Sequence, residues 1–341
     1  MIQPNELKYG LPVDIAGGQT STTTNVWQIL RASYDGDLNN VKELLLEEPN
    51  LAYAQYNYMP PIHLAVREGH AELVNYFLEL GAFDPSYRTY PFRDDLVTIA
   101  QDADQAAIAD QLLRYSEDPS RQKFKGDNGG IHYPKTPLQQ EFEDAVNKQD
   151  IAKTETILKE HPEFALDETF FWGEGILMMP AKEAAFAMLD LLMDYGATVP
   201  TILKWTQAYY FKRYDGAVYM MKKGMSPNVM SVHHVTILHD MAQKGDIQKA
   251  ELLLQYGAEI DPVDEEYQST PLGLAARWGN FEMVKYLLQQ GADPNKGGRV
   301  WSTPLAWAKR KNHESIVAVL KDVGAITSPG PSGRGGFEAI L

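Results

Sequence analysis

The chain contains no cysteine among its 341 residues. Disulfides, thiolate metal sites and cysteine nucleophiles are therefore excluded, while the redox compartment stays open. Positive charge is also scarce, with 31 Lys and Arg against 46 Asp and Glu and a formal net charge of −15. Nonspecific binding to a polyanion needs clustered cations, so nucleic acid is not an expected partner. No apolar run reaches membrane-spanning length, and Met1 to Gly18 lacks a basic start followed by an apolar stretch. This favours a soluble, cytoplasmic chain with no membrane partner, although a secreted chain trimmed of its leader would read the same. Walker, dinucleotide-binding, H-E-x-x-H and G-x-S-x-G signatures are absent too, so no recognised short catalytic motif is at hand. No cofactor and no metal are expected.

A period is present instead. T-I-L-H-D-M-A-Q-K-G-D from Thr236, T-P-L-G-L-A-A-R-W-G-N from Thr270 and T-P-L-A-W-A-K-R-K-N-H from Thr303 align at intervals of 34 and 33 residues. Each is followed by a Gly-Ala pair at Gly257, Gly291 or Gly324. Two helices fit between these marks, because Thr is a good N-cap, Pro suits the first helical position and Gly suits the left-handed residue that ends a helix. Phe281, Val284, Leu287 and Leu288 recur at helical spacing on one face. A single helix pair cannot bury that face, so neighbouring repeats must cover it.

The pattern resembles the ankyrin repeat, a turn and two antiparallel helices per 33 residues with a T-P-L-H-x-A signature. The match is strong over 236–326. P-P-I-H-L-A-V-R-E-G-H from Pro60 is equally clear, and Trp27 to Pro49 gives a preceding unit. Between these ends, Leu96 to Tyr115, Phe142 to His161, Leu177 to Gly196 and Leu203 to Gly224 keep the two-helix spacing but lose most of the signature. The resemblance implies an all-α ankyrin-repeat solenoid of about nine helix-turn-helix units with hairpin fingers, its middle repeats degenerate. The expected organisation is an irregular N-terminal cap over 1–26, N-terminal repeats over 27–115, an insertion loop or hinge over 116–137, C-terminal repeats over 138–326 and a flexible tail over 327–341. The insertion is rich in Gly, Pro and charge. Gly196 and Gly224 lie only 28 residues apart, and V-P-T-I-L-K-W reads as running straight into a helix from Pro200, leaving no room for a finger.

The repeat register sorts the histidines. His239 and His63 take the signature His position, where the resemblance implies a structural imidazole bonded within and between repeats. His70 and His313 follow the mid-repeat turn, a packing position. His233 and His234 fall at a finger tip before Thr236 and read as partner-contact residues rather than metal ligands. Asp240 stands where Leu64 and Leu274 stand in other repeats, so its carboxylate either tilts to solvent or is held buried by a partner. Tyr209 replaces a small residue such as Ala242 or Ala276, and its ring must turn toward the groove or fill the space of the missing finger. Trp205 falls on a buried Leu position.

Transferring the family's groove and finger positions gives Tyr56, Asn57, Arg67, Glu68, Tyr90, Trp172, Glu174, Tyr210, His233, Tyr267, Arg277, Trp278 and Arg299. Aromatic and Arg side chains dominate, and these are the usual interface anchors. The leading expectation is a non-catalytic scaffold that binds a protein or peptide partner on its concave groove. The alternative is a glycan or small-molecule site near the missing finger, around residues 172–240, with Trp172, Glu174, Tyr209, Tyr210, His233, His234 and Asp240 converging on it. In enzymatic form this would be a carboxylate-dependent glycoside hydrolase. Glu174 and Asp240 are its candidate catalytic pair, with Glu168 and Glu265 as further members, and two carboxylates must then face one bond roughly 5–10 Å apart. The corresponding geometric expectation is a notch floored by Tyr209, Tyr210 and Asp240, flanked by Trp172 and His233, with Glu174 at its rim.

Overall fold

The computed structural model describes residues 1–15, 19–89, 92–118, 122–123, 131–204 and 207–326. Tyr90, Trp205, much of the 116–137 insertion and the 327–341 tail lie outside the described residues. Among the described residues nine helix pairs follow one another: Thr23–Asp35 with Leu38–Glu47, Pro61–Glu68 with Ala71–Glu79, Leu96–Asp102 with Ala106–Glu117, Pro137–Asn147 with Ile151–Glu160, Met178–Glu183 with Phe186–Asp194, Gln207–Tyr210 with Tyr214–Lys222, Ile237–Lys244 with Ile247–Gln255, Pro271–Arg277 with Phe281–Gln289, and Pro304–Arg310 with Glu314–Asp322. The chain is thus all-α in class, and the described residues add two short two-stranded sheets as accessories.

Capping chemistry explains why the terminal repeats start cleanly. Thr270 accepts from Gly273 N and Thr303 from Ala306 N, each just ahead of a Pro at the first helical position. Thr136 forms a full capping box with Gln139. The degenerate helix Met178–Glu183 has no side-chain cap.

At four junctions one hydrogen bond ties successive repeats together in the same register. The residue that follows the mid-repeat turn reaches back to a carbonyl at the end of the previous repeat's first helix. His70 Nε2 lies 2.9 Å from Tyr34 O, Gln105 Nε2 is 3.2 Å from Arg67 O, Asn280 Nδ2 is 2.6 Å from Gln243 O, and His313 Nε2 is 3.1 Å from Arg277 O. These bonds satisfy carbonyls that a helix end leaves orphaned. They also fix the turn glycines. A Cβ on Gly36 would lie 2.5 Å from the His70 ring and one on Gly279 would lie 2.7 Å from that of His313, at φ values of 74° and 76°. Both the conformation and the close approach therefore call for glycine.

Contacts divide the chain into two compact units, one of residues 1–237 with 255–257 and one of residues 238–254 with 258–341. The core of the first includes Leu7, Val13, Ile29, Leu64 and Phe77, all fully buried. Leu272, Leu274, Trp307, Ile316 and Leu320 are the corresponding buried residues of the second. Burying such a side chain stabilises by about 1.5–3 kcal/mol each.

The leader does more than cap the first repeat. Pro12–Ile15 pairs antiparallel with Gln19–Thr22, and Asp14 bridges to His132. Ahead of this hairpin, the turn Asn5–Lys8 buries Leu7, and Ile2 N donates to Val232 O at 2.9 Å. Residues near the start and near position 232 thus belong to one unit.

After Gly196 the expected helix from Pro200 does not form. Ile202–Leu203 pairs in parallel with Met230–Ser231, which holds this stretch extended, and the first helix of that repeat shrinks to the single turn Gln207–Tyr210. The strand pairing satisfies the backbone that the helix would have satisfied.

Candidate functional site

Two places carry unusual side chains, one in each unit. In the first unit, a cavity of about 220 Å³ lies beside the shortened repeat, lined by Pro4 to Glu6, Ala165 to Glu168, Glu174 to Leu177, Ala197 to Ile202, Lys204 and Tyr210. The turn that presents Glu174 is held from below. Glu143 accepts from Phe171 N at 2.5 Å and also pairs with the Lys135 ammonium. Phe171 and Trp172 are both left-handed, at φ 48° and 61°, and Gly173 and Gly175 continue the positive-φ run. Such backbone strain persists only where the surroundings over-determine it.

Within the cavity wall, Glu6 is buried and accepts from the Tyr56 hydroxyl at 2.7 Å and from Lys204 Nζ at 2.5 Å. Tyr210 is buried, with its hydroxyl 3.4 Å from Glu174 O. Burial first, and then the Glu174 charge, push the Tyr210 phenol well above its ordinary range. Burial and the nearby Glu6 do the same to Tyr56. Tyr133 is raised by burial and then by Glu6, Glu168 and Asp167, and its buried hydroxyl has no partner among the described residues.

The expected notch is realised in part. Tyr210 and Glu174 do line one space next to the shortened repeat, with Glu168 at the same wall. Trp172, Tyr209 and His233 are not among its lining residues. Trp172 is 55% exposed, and the Tyr209 ring lies under the Lys182 ammonium at 4.8 Å. His233, expected at an exposed finger tip, is buried. Its Nδ1 accepts from Arg67 Nη1 at 3.0 Å, while His234 is left-handed at φ 58°. A ring that accepts from a guanidinium is held as the neutral imidazole.

Asp240 belongs to the second unit and takes no part in that wall. Of its two expected states, the structure has the buried one. It is 0% exposed, at the same depth as Leu64 and Leu274, and Lys244 reaches back one helical turn to place Nζ 2.6 Å from Oδ2. Its Oδ1 has no partner among the described residues. Burial raises its pKa, and Lys244 opposes the shift without cancelling it. The expected pair of Glu174 and Asp240 is therefore divided between two units, and the carboxylates that share the cavity with Glu174 are Glu6, Asp167 and Glu168.

His239, the signature imidazole, is fully buried with Nε2 3.1 Å from Ser269 O, and burial pushes its pKa down to about 4. Asp264 Oδ2 lies 4.0 Å from that nitrogen. His63 is likewise buried, with Nδ1 2.8 Å from the Tyr87 hydroxyl. Among the described residues no group of three or more His, Asp or Glu is arranged to hold a metal ion, and no helix is long and apolar enough to cross a membrane.

The second unit holds a lattice of cations and aromatic rings. Arg277 is 5% exposed, with its guanidinium carbon 4.4 Å from the Tyr267 ring centre, 4.1 Å from Trp278 and 5.1 Å from Trp307. Tyr267 and Trp278 stand edge to face at 5.4 Å, as do Trp301 and Trp307 at 5.7 Å. Arg310 lies 5.5 Å from Trp307 and 6.0 Å from Trp301. Ring faces replace part of the hydration that a buried guanidinium gives up. Tyr267 and Arg277, expected as groove contacts, are thus buried behind a half-buried Trp278. Trp301, Trp307 and Arg310 were not among the sequence candidates, though Arg310 follows Arg277 by the 33-residue repeat. Applying the period to side chains as well as to helix ends would have found it.

Comparison with known proteins agrees with this geometry. The family model for ankyrin repeats in three copies matches residues 205–298, and that for a single ankyrin repeat matches residues 57–90. Ankyrin repeat and SOCS box protein 5 of Oryctolagus cuniculus is 36% identical over 87 residues, 26% of this chain and 26% of that protein. Palmitoyltransferase ZDHHC13 of Mus musculus is 32% identical over 124 residues, 36% of this chain and 20% of its own length. Protein PhlB of Serratia liquefaciens is 30% identical over 131 residues, covering 38% and 57% respectively. The chain thus spans about a quarter or less of the first two relatives.

Proposed function

From the premise that the chain is an ankyrin-repeat protein, we propose that it is an interaction scaffold whose partner-binding face lies in the second unit, centred on Trp278. Ankyrin repeats are generally protein–protein interaction modules. The observation that carries the finer reading is the Tyr267, Arg277 and Trp278 stack. A guanidinium locked between rings holds Trp278 in one orientation, so little ordering cost remains for binding. In the first unit, by contrast, the groove residues Tyr56 and Arg67 are engaged by the chain's own Glu6 and His233. The test is selection of a displayed peptide library on the full chain. Binders should weaken by about 2 kcal/mol or more with Trp278→Ala and be indifferent to Trp172→Ala. Binders untouched by Trp278→Ala would sink the assignment.

A small-molecule reading keeps one observation in its favour, the cavity that joins Glu174, Tyr210 and the Glu6–Lys204 pair. It predicts a ligand-dependent rise in melting temperature that Glu174→Gln removes.

A further inference from the structure

The cavity of the first unit joins hydrocarbon to negative charge. Leu166 ends the turn Pro162–Leu166 and is 63% exposed, while Val199, Pro200 and Ile202 of the same lining are half-buried. Two carboxylates follow Leu166 directly. Asp167 accepts from Thr169 N at 2.8 Å, Thr169 Oγ1 at 2.7 Å and Gln139 Nε2 at 3.4 Å, none of them a cation. Glu168 is exposed and has neither a hydrogen bond nor an ion pair among the described residues. The ammonium of this lining, Lys204, is taken by Glu6 at 2.5 Å. Asp167 and Glu168 therefore add charge that Lys204 does not balance, and after burial and Glu6 both raise the Tyr133 phenol.

This lining sorts ligands by class. An anion would meet the carboxylates and be repelled. A metal ion lacks its ligand set, since among the described residues no group of three or more His, Asp or Glu is arranged to hold one. A sugar ring would want an aromatic face, and Tyr210 in the wall is 1% exposed. An ammonium on a hydrocarbon chain suits both halves, because the chain removes Leu166 from water while the carboxylates replace the hydration that the ammonium gives up. At about 220 Å³ the space is smaller than the roughly 300–1,000 Å³ of sites for drug-sized molecules, so the occupant is small.

We propose that this cavity binds a small aliphatic amine, with its ammonium on Asp167 and Glu168 and its hydrocarbon on Leu166 and Ile202. This rests on the small-molecule reading above. The net charge of −15 draws such a cation toward the chain from a distance.

The experiment titrates the full chain at neutral pH with pentylamine, pentanol and pentanoate, read by calorimetry. Pentylamine should bind, pentanol more weakly and pentanoate not at all. Glu168→Gln should weaken pentylamine on the order of tenfold, with a smaller loss for Leu166→Ser. Both side chains are exposed, and circular dichroism reports on the fold of each variant. Glu160→Gln removes the same charge from an exposed position outside the lining and should leave binding unaltered. Acetyl-glycyl-lysyl-glycinamide separates the two sources of such an ammonium. Affinity equal to that of pentylamine assigns the site to a partner's lysine side chain, and weaker binding assigns it to a free amine. Pentanol binding as tightly as pentylamine, with neither moved by Glu168→Gln or Asp167→Asn, keeps the small-molecule cavity and overturns the amine. Silence from every probe also overturns the amine, while a melting-temperature rise with another ligand, removed by Glu174→Gln, would still uphold the cavity.

Discussion

Arg67 and Arg277 hold the same place in two repeats, seven residues past Pro60 and Thr270, and the two units use them differently. In the first unit Arg67 donates to His233 and pairs with Glu68 at 2.7 Å, so its hydrogen-bonding edge is committed to its own chain. Arg277 in the second is held by ring faces, with guanidinium-to-ring distances down to 4.1 Å. The first arrangement ties a repeat position to the chain's own non-repeat segments, while the second surrounds the guanidinium with aromatic rings. A repeat position therefore fixes where a side chain starts and leaves its use to whatever non-repeat segment arrives opposite it.

The largest expected effect tests whether the leader truly belongs to the first unit. Leu7 is fully buried in that unit's core, so Leu7→Ala should cost about 3 kcal/mol in urea unfolding, within the range for core truncations. A loss below about 1 kcal/mol would mean that the leader only rests on the surface, and its place in the first unit's core would fail.

Next in size, Arg277→Ala should lower stability by about 2 kcal/mol, since it leaves a cavity among three rings as well as losing the cation–ring contacts. Arg277→Lys should recover part of this, because an ammonium also sits well over a ring face. Arg67→Lys should recover less, because a point charge cannot reach both His233 and Glu68 with the guanidinium's fixed fork. Equal recovery in the two units would erase the distinction drawn between them.

The repeats were legible because they announce themselves in the chain at fixed intervals. Thr270, Pro271, Gly279 and Gly291 mark helix ends by rules that act over a few residues, and the same rules found the units at 27–49 and from Pro60. The partners of Tyr56 and Arg67 were not legible, because Glu6 and His233 lie 50 and 166 residues away in segments without repeat character. Asp240 was located correctly in register, but its burial depends on Lys244 one turn later, and a lysine at that spacing is equally compatible with a solvated pair. The strand pairing of Ile202–Leu203 with Met230–Ser231 is likewise a long-range event, and local helix signals at Pro200 could not foresee it.

A smaller effect concerns pH, because two slopes oppose each other in the second unit. His239 is pushed from 6.5 down to about 4, so the unfolded chain binds more protons between those values and stability rises with pH there. Asp264 is pushed by burial from 3.8 up to about 7, so the folded chain binds more protons across that window and stability falls as pH rises. The two contributions largely cancel between about pH 4 and 6.5, and only the falling one remains from there to about 7. His239→Gln, which can still donate to Ser269 O, removes the rising contribution and should make the decline between pH 4 and 7 steeper. Urea unfolding across this range measures the slope, and a His239→Gln profile no steeper than that of the parent chain would remove the buried imidazole as its source.

The smallest effect sits at Trp172, where strain and exposure coincide. Its backbone is left-handed at φ 61° and ψ 29°, following another left-handed residue, yet the side chain is 55% exposed. A non-glycine residue pays about 1 kcal/mol or somewhat more for that conformation, whereas glycine adopts it freely. Trp172→Gly should therefore stabilise slightly, by about 0.5 kcal/mol, once the lost cover of the half-exposed ring and the added freedom of the unfolded chain are set against the relief. Thermal melts of the two proteins measure this directly. The informative readout is its combination with peptide binding. A small gain in stability with no change in binding sharpens the comparison, because the first unit would then carry an exposed tryptophan with no share in recognition. A gain in stability accompanied by loss of selected peptides would make Trp172 a strained contact residue, and the partner would have to be bound by the first unit as well as the second.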